Sequence, residues 1–223
     1  MGNPKRETQE LARDYADQGR PNDWFEEFYA RAEGDHRRVY WADLAPNPKL
    51  TRWLDTYPPV PGARAVTVGC GLGDDAEALA ASGCRVAAFD ISESAIAMCR
   101  RRYPASEVDY LVGDLFTPPA KWRRGFDLVY ECNTIQILVG RARQDAVAAI
   151  ADLVAPGGVL LVSCRSREVG QGLDDWPLAL DRPEIDRFLT AGLEEIHFDA
   201  YDDTQDPPVP HYFAAYRRPV EVA

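Results

Sequence analysis

The chain has 223 residues, enough for one large domain with a sizeable buried core. It carries 36 acidic and 25 basic residues, so its formal net charge is −11 at pH 7. Because this charge repels polyanions, it argues against DNA, RNA and anionic membranes as partners.

Cysteine usage and the lack of long apolar stretches bear on the compartment. The five cysteines are odd in number and form no C-x-x-C pair, which argues against a zinc site and against a disulfide framework. The N-terminus is polar, and no stretch approaches the roughly 20 apolar residues that span a bilayer. We therefore predict a cytoplasmic protein without a bound metal.

Residues 1–60 differ in composition from the rest of the chain, because they are polar with scattered aromatic side chains. Leu50, Trp53 and Leu54 keep a helical spacing, and three prolines within residues 58–61 then interrupt the chain. We predict that residues 1–60 form helices and loops that cover residues 61–223, the main domain.

From residue 63 onward, short apolar runs alternate with helical patterns. The predicted strands are buried apolar runs, and they comprise residues 65–68, 85–89, 108–112, 126–131 and 159–163. The predicted helices comprise residues 74–81, 93–102 and 143–154, and residues 155–158 are predicted to form a turn. This alternation predicts an α/β fold with a parallel, doubly wound, Rossmann-like sheet.

The last part of the chain departs from this alternation. Asp181 and Glu184 have the spacing of a capping box for a predicted helix over residues 184–191. Two β-like runs follow, residues 194–200 and 211–217, with no helix between them. We therefore predict seven strands, mostly parallel, with an antiparallel C-terminal hairpin at the sheet edge.

A glycine-rich turn joins the first predicted strand to the first helix of the main domain. Gly69, Gly71 and Gly73 let the backbone turn sharply and approach a ligand closely. The N-terminus of the following helix offers unpaired N–H groups and positive potential, which suit a carboxylate or a pyrophosphate. A tight turn without any ligand is the competing interpretation.

Acidic residues follow the next two predicted strands. Asp90 ends the second strand about twenty residues past the first glycine, the position of an acid that binds ribose hydroxyls. Asp114 ends the third strand, where a carboxylate can accept from an adenine amino group while Leu115 packs on the ring. A helix cap at Asp90 and a plain turn at Asp114 are the structural alternatives.

These stretches together resemble class I S-adenosylmethionine (SAM)-dependent methyltransferases. The matching segments lie within residues 63–217 and read VTVGCGLGDDAEALAASG, VAAFDIS, YLVGDLF, FDLVYECN and LVAPGGVLLV. The resemblance implies SAM as cofactor and S-adenosylhomocysteine as product. Thr67 departs from the pattern, because many members carry an acid there that orients the glycine loop.

A narrower resemblance is to thiopurine S-methyltransferase-like and thiol methyltransferases, which lack that acid. Their Gly-Cys-Gly loop followed by aspartate resembles residues 69–75, and their Trp-Asp-Leu segment resembles residues 41–44. This resemblance implies a lid over residues 1–60. The resulting set of predicted cofactor-binding residues is Trp41, Gly69, Cys70, Gly71, Gly73, Asp75, Asp90, Ile91, Ser92, Asp114, Leu115, Glu131 and Asn133.

The acceptor is predicted to be a small molecule, and a thiol is one candidate because it needs little help from a base. Hydroxyl and amine acceptors remain open. Candidate acceptor contacts lie near predicted strand ends or in the N-terminal segment, and they are Tyr29, Tyr40, Arg165 and Trp176. His211 is a further candidate for the pocket wall. No residue stands out as a base, so the catalytic group is left unassigned.

Two other functions fit parts of the pattern. Gly71, Gly73 and Ala76 satisfy a relaxed dinucleotide fingerprint, which would suit a nicotinamide-dependent oxidoreductase. Asp114 and the terminal hairpin argue against that alternative. A protein that binds SAM without catalysis is the second alternative.

Overall fold

The computed structural model describes residues 4–171 and 178–220. Its strands share one sheet, and they are β1 (Arg64–Val68), β2 (Arg85–Asp90), β3 (Asp109–Val112), β4 (Phe126–Cys132), β5 (Val154–Arg165), β6 (Glu194–Asp202) and β7 (Pro210–Arg217). Its α-helices are α1 (Pro4–Asp17), α2 (Trp24–Arg31), α3 (Pro48–Thr56), α4 (Asp74–Ala81), α5 (Glu93–Arg102), α6 (Gly140–Leu153), α7 (Arg182–Ile185) and α8 (Arg187–Thr190).

The sheet has seven strands in the order β3-β2-β1-β4-β5-β7-β6. Strands β1 to β5 pair in parallel, and β7 pairs antiparallel with both β5 and β6. The predicted fold class and the antiparallel hairpin are therefore confirmed. The strand order reverses between β1 and β4, which is where parallel α/β sheets form a ligand crevice.

Apolar side chains cover both faces of the sheet, as the uninterrupted apolar runs predict. On one face α3, α4 and α5 pack on the sheet through buried residues such as Leu50, Leu79 and Ile96. On the other face α6, α7 and α8 pack through residues such as Ile150 and Phe188. No helix within residues 4–171 and 178–220 is long and apolar enough to cross a membrane.

The predicted turn at residues 155–158 is wrong, because those residues lie inside β5. Val154 already pairs with Phe126, and the register of β4 against β5 shifts between Phe126 and Leu128. Gly157 has φ +79°, and a Cβ at Gly158 would lie 2.8 Å from the carbonyl oxygen of Phe126. The glycines therefore form an irregularity within one long strand instead of ending a helix-to-strand connection.

The predicted helix over residues 184–191 is two short helices, α7 and α8. The capping box is present, with Asp181 accepting from the Glu184 amide and Glu184 accepting from the Asp181 amide. Ile185 and Phe188 are both fully buried in the same core. Each short helix thus supplies one apolar anchor, so a continuous helix is not needed to cover that face.

Candidate active site at the carboxyl ends of the strands

The glycine loop between β1 and α4 has both the conformation and the crowding that require glycine. Gly69, Gly71 and Gly73 have φ values of +57°, +52° and +88°, in the left-handed region. A Cβ on Gly69 would lie 2.5 Å from Oγ1 of Thr134, and one on Gly73 would lie 2.5 Å from the hydroxyl of Tyr110. The backbone of this loop is therefore closely surrounded by the strands and loops beside it.

The acid that the family pattern places at position 67 is replaced by other groups. Thr67 is buried, and its Oγ1 has no hydrogen-bond partner within the described residues. Instead, the carboxylate of Asp90 accepts from the Gly71 amide at 2.9 Å. Oγ1 of Thr134 donates to the carbonyl oxygen of Val68 at 3.2 Å. Groups from β2 and from the connection after β4 thus orient the loop.

Helix α5 secures the other side of the glycine loop. Arg102 donates to the Leu72 carbonyl oxygen at 2.5 Å and forms a two-pronged ion pair with Asp74, with N–O distances of 2.6 and 2.7 Å. The Cys99 thiol donates to the carbonyl oxygen of Gly71 at 3.1 Å. Contact with Cys99, together with burial, raises the pKa of the Cys70 thiol. Cys70 therefore faces α5 with a protonated thiol.

Asp90 is buried at the end of β2. In addition to the Gly71 amide, it accepts from the Ser92 amide at 2.9 Å. Burial raises its pKa to about 6, against the opposing effect of the two amide hydrogen bonds. Near neutral pH it is a carboxylate with acceptor capacity left for ribose hydroxyls.

Glu26 of α2 is a neighbour of Asp90 that sequence analysis missed. Its carboxylate accepts from the Ser92 hydroxyl at 2.7 Å and from the Ser94 amide and hydroxyl at 3.0 and 2.6 Å. Although burial opposes it, these hydrogen bonds lower the pKa of Glu26. Ser92 also accepts from the Ala95 amide as N-cap of α5. Because Glu26 and Ser92 are 66 positions apart in the sequence, no local pattern links them.

The end of β3 lies directly beside the end of β2. The Gly113 amide donates to the backbone carbonyl oxygen of Asp90 at 2.9 Å. Asp114 is half-buried, and its Oδ1 accepts from the Phe116 amide at 2.9 Å. Leu115 is buried in the core, whereas Ile91 is exposed at the end of β2. This edge thus combines a carboxylate with exposed apolar side chains, an arrangement suited to a flat heterocycle.

Glu131, near the end of β4, is fully buried. Its Oε1 accepts from the Thr134 and Ile135 amides at 2.6 and 3.0 Å, and its Oε2 has no partner within the described residues. Burial raises its pKa to about 7. Asn133 follows with a left-handed φ of +61° and an exposed side chain. Glu131 therefore shapes the turn that presents Asn133 at the strand end.

The N-terminal segment touches the glycine loop through an aromatic cluster. Trp41 stacks on Phe28 at 3.8 Å between ring centroids and meets the Tyr29 ring edge to face at 5.9 Å. The Tyr29 hydroxyl would lie 3.2 Å from a Cβ at Gly71. Tyr29 is buried, whereas Trp41 and Tyr40 each keep 37% of their surface exposed. The cluster thus has one buried member against the loop and two members at its surface.

Asn47, which sequence analysis also missed, connects the N-terminal segment to helix α4 and strand β5. Its backbone amide donates to Oδ1 of Asp75 at 2.7 Å, and its side-chain Nδ2 donates to Oγ of Ser163 at 3.1 Å. Its Oδ1 caps α3 by accepting from the Lys49 amide at 2.8 Å. Burial raises the pKa of Asp75 to about 6. The Asn-Pro sequence at 47–48 is a recognisable helix start, but its contacts with β5 have no local signal.

Arg165 is the last residue of β5, and its backbone amide donates to Oε1 of Gln136 at 2.9 Å. Within residues 4–171 and 178–220, its guanidinium has no hydrogen-bond or ion-pair partner. Burial raises the pKa of the Tyr40 hydroxyl in the N-terminal segment, and the positive charge of Arg165 opposes this rise. Trp176 lies outside the described residues. No group of three or more His, Cys, Asp or Glu side chains in the described chain is arranged to hold a metal ion.

The central part of the chain matches a known protein family. Residues 65–158 match a family model described as a methyltransferase domain. This range begins in β1 and ends within β5, so it contains the glycine loop, Asp90, Asp114 and the turn after β4.

Curated relatives of the chain are methyltransferases. A ubiquinone biosynthesis O-methyltransferase of Thiobacillus denitrificans is 36% identical over 123 residues, which cover 54% of this chain and 52% of the relative. A protein of the same name from Burkholderia multivorans is 28% identical over 179 residues, covering 79% of this chain and 68% of the relative. The chain thus spans about half the length of the first relative.

Solved structures share the fold. The 1,6-didemethyltoxoflavin-N1-methyltransferase of Burkholderia thailandensis, solved with S-adenosylhomocysteine, gives a TM-score of 0.69 at 16% identity and covers 98% of this chain and 92% of its own. The N-methyltransferase NodS of Bradyrhizobium japonicum, also with S-adenosylhomocysteine, gives 0.67 at 19% identity, covering 87% and 98%.

These relatives bear out the class I resemblance and favour a methyltransferase over the oxidoreductase alternative. They do not support the narrower resemblance to thiol methyltransferases, because their names are those of O- and N-methyltransferases. Residues 65–158 match a methyltransferase-domain model, and the chain shares its fold with solved methyltransferases, in line with the predicted enzyme class and the predicted cofactor, SAM.

Proposed function

We propose that this protein transfers the methyl group of SAM to an oxygen atom of a small-molecule acceptor. The observation that carries the proposal is the convergence of a glycine loop, Asp90 and Asp114 on the ends of adjacent strands, next to the reversal in strand order. The same edge continues into β4 and β5, where an acceptor would meet the methyl group.

The residues at this edge fit SAM. Gly73 is the N-cap of helix α4 and supplies no side-chain hydrogen bond, which leaves first-turn amides for the methionine carboxylate. Asp90 is suited to the ribose hydroxyls and Asp114 to the adenine amino group, with Ile91 and Leu115 beside the ring. When bound, SAM supplies an electrophilic methyl group on a sulfonium.

The N-terminal segment is proposed to act as a lid over this edge. Tyr29 and Trp41 contact each other edge to face, and the Tyr29 hydroxyl lies beside Gly71. Aromatic faces favour a cationic sulfonium by about 0.5–2 kcal/mol. Asn47 holds the segment against Asp75 and Ser163. An acceptor enclosed in this way is positioned for transfer and shielded from water.

An oxygen acceptor is favoured because the curated relatives are named O-methyltransferases. Transfer to a thiol or an amine is the competing acceptor chemistry, and a single assay separates the three. The purified chain is incubated with methyl-labelled SAM and matched phenols, catechols, aryl thiols and aryl amines. S-adenosylhomocysteine and the methylated product are measured by chromatography and mass spectrometry.

We expect acceptor-dependent formation of S-adenosylhomocysteine with hydroxyl compounds and a methyl ether as product. Preferential methylation of the thiols or amines would overturn the choice of oxygen. Failure to bind SAM in calorimetry would overturn the function altogether.

A further inference from the structure

The C-terminal end of β5 and the residue of β7 opposite it carry side chains of complementary chemistry. Arg165 of β5 is directly opposite His211 of β7 in the antiparallel pair. Directly opposed residues share a face of the sheet, with Cβ atoms about 4.5–5.5 Å apart. Ser163, two residues earlier on the same face, contacts Asn47 of the proposed lid. The Arg165–His211 pair therefore lies about 7 Å beyond a residue that already borders the candidate site.

The imidazole of His211 has a defined proton arrangement. Its Nδ1 lies 2.8 Å from the carbonyl oxygen of Val209. A carbonyl oxygen only accepts, so Nδ1 carries the hydrogen and the neutral ring keeps its lone pair on Nε2. The side chain is 14% exposed, so most of the ring is removed from solvent. This tautomer is the one that leaves Nε2 able to take up a proton.

A carboxylate lies close to the imidazole ring of His211. Oδ2 of Asp203, in the connection between β6 and β7, lies 4.0 Å from Nδ1. Although burial opposes it, hydrogen bonds from the Val209 and Gln205 amides hold the pKa of Asp203 below its usual value. Asp203 is therefore a carboxylate at neutral pH, placed to stabilise a positive imidazolium.

The remaining neighbours of the ring come from β6 and α3. The Tyr201 ring of β6 stacks on His211 at 5.5 Å between centroids. The Lys49 ammonium of α3 lies 4.0 Å from the Tyr201 ring centroid and is paired with Asp199. Lys49 is thus already compensated by a carboxylate, which leaves Arg165 as the facing cation without a described partner.

A half-buried guanidinium that has no partner among the described residues, opposite an oriented imidazole, is suited to a bifunctional ligand. A guanidinium binds a carboxylate with two parallel hydrogen bonds, and burying one without a partner is costly. The charge of Arg165 also acts on Tyr40, a surface aromatic of the proposed lid. An acidic ring compound would therefore place its anion on Arg165 and a ring hydroxyl near His211.

We propose that Arg165 binds an anionic group of the acceptor and that His211 is the general base for its hydroxyl. This inference rests on the proposed O-methyl transfer. The acceptor O–H bond breaks and its proton passes to Nε2 of His211. The acceptor oxygen uses the freed electron pair to form a bond to the methyl carbon. The bond from that carbon to the sulfonium breaks, and its electrons stay on sulfur.

The test of the base uses 3,4-dihydroxybenzoate as acceptor and compares wild type with His211→Asn. The asparagine amide retains a donor for the Val209 carbonyl but has no proton-accepting nitrogen. We expect kcat to fall about 100-fold or more at pH 7, with unchanged S-adenosylhomocysteine affinity. The loss should shrink as pH approaches about 10, where a phenol ionises unaided. His197→Asn, on the neighbouring strand β6, is the matched control.

The test of the anion site compares 3,4-dihydroxybenzoate with catechol, which lacks the carboxylate. We expect wild type to favour the acid at least tenfold in kcat/KM and Arg165→Gln to abolish that preference by raising KM for the acid alone. Calorimetry with 3,4-dihydroxybenzoate and S-adenosylhomocysteine should show the same loss of binding without any turnover. Arg52→Gln, an exposed change on α3, is the control.

The outcomes separate this inference from the proposed function. If His211→Asn kept the wild-type kcat and pH profile, the assignment of His211 as general base would be overturned, whereas the proposed methyl transfer would stand. Equal use of catechol and the acid by wild type would overturn the anion site. Absence of methylation with every hydroxyl compound would overturn the proposed function and, with it, this inference.

Discussion

The half of the sheet that carries the glycine loop and the half beyond β4 are built by different means. In the first half, the Gly71 amide donates to Asp90 and Arg102 donates to the carbonyl oxygen of Leu72, so these hydrogen bonds lie within residues 71–102. In the second half, groups from distant parts of the chain meet, because Asn47 donates to Ser163 and the pairing of β5 with β7 places Arg165 opposite His211. The hydrogen bonds at the glycine loop are therefore mostly encoded within one stretch of chain, whereas the acceptor contacts of the second half can vary without disturbing that loop.

The substitution that should most disrupt the half of the sheet carrying the glycine loop is Gly69→Ala. A Cβ there would lie 2.5 Å from Oγ1 of Thr134, in addition to the cost of about 1–2 kcal/mol for a left-handed φ. We expect the affinity for SAM to fall 100-fold or more by calorimetry. Gly140→Ala is the control, because Gly140 has φ +56° but nothing within 4 Å of a Cβ. Similar losses in both variants would show that contact with Thr134 is unimportant.

Asp90→Ala should produce the next largest effect. It removes the proposed ribose acceptor and the hydrogen bond that orients the Gly71 amide. We expect SAM affinity to fall at least tenfold, with little change in affinity for an acidic acceptor. Binding is measured by calorimetry, with Asp127→Asn, at the opposite end of β4, as control. Unchanged SAM affinity would contradict the placement of the ribose.

The pH dependence of the stability of the ligand-free protein tests the role of Asp90 in the first half of the sheet. The folded-state pKa of Asp90 is raised to about 6 from 3.8, so the folded protein binds this proton more tightly than the unfolded chain. Between pH 7 and 5, stability against urea should therefore rise as pH falls, while SAM affinity should decline. Asp90→Asn should remove about 1 kcal/mol of that rise. An identical pH slope in wild type and variant would contradict this assignment.

Asn47→Ala should give the smallest effect and confine it to the second half. The variant keeps the backbone bond to Asp75 but loses the cap of α3 and the bond to Ser163. We expect a loss of about 0.5–1 kcal/mol in unfolding free energy and a severalfold rise in acceptor KM. Thr56→Ala, on the same helix, is the control. A larger loss of SAM affinity than of acceptor affinity would contradict the division into halves.

Features that depend on neighbouring residues were predictable from sequence. The glycine spacing at 69–73 predicted the loop, and the N-cap at Ser92 predicted helix α5, whose bounds Glu93–Arg102 agree with the prediction. The wrong turn at residues 155–158 arose because the same Pro-Gly-Gly pattern fits a turn and a strand irregularity. Pairing of Val154 with Phe126, which is not visible locally, decided between them.

Features that depend on distant residues were not predictable. Glu26 has no local feature that distinguishes it from other surface acids, although it accepts from Ser92 and Ser94. Arg165 was predicted as an acceptor contact and His211 as a candidate for the pocket wall, each from its own position in the sequence. Their pairing follows from the register of β5 against β7, and a change of one residue in that register would turn one of them to the opposite face.

The position of β7 has a consequence for how the chain reaches this structure. It follows β6 in sequence yet lies between β5 and β6 in the sheet. Until β7 is in place, β5 exposes an unpaired edge that contains Leu160, Leu161 and Val162. Such an apolar edge invites pairing between molecules. Slow docking of one strand would therefore both delay assembly of the β5–β7 side-chain pair and open a route to aggregation during synthesis.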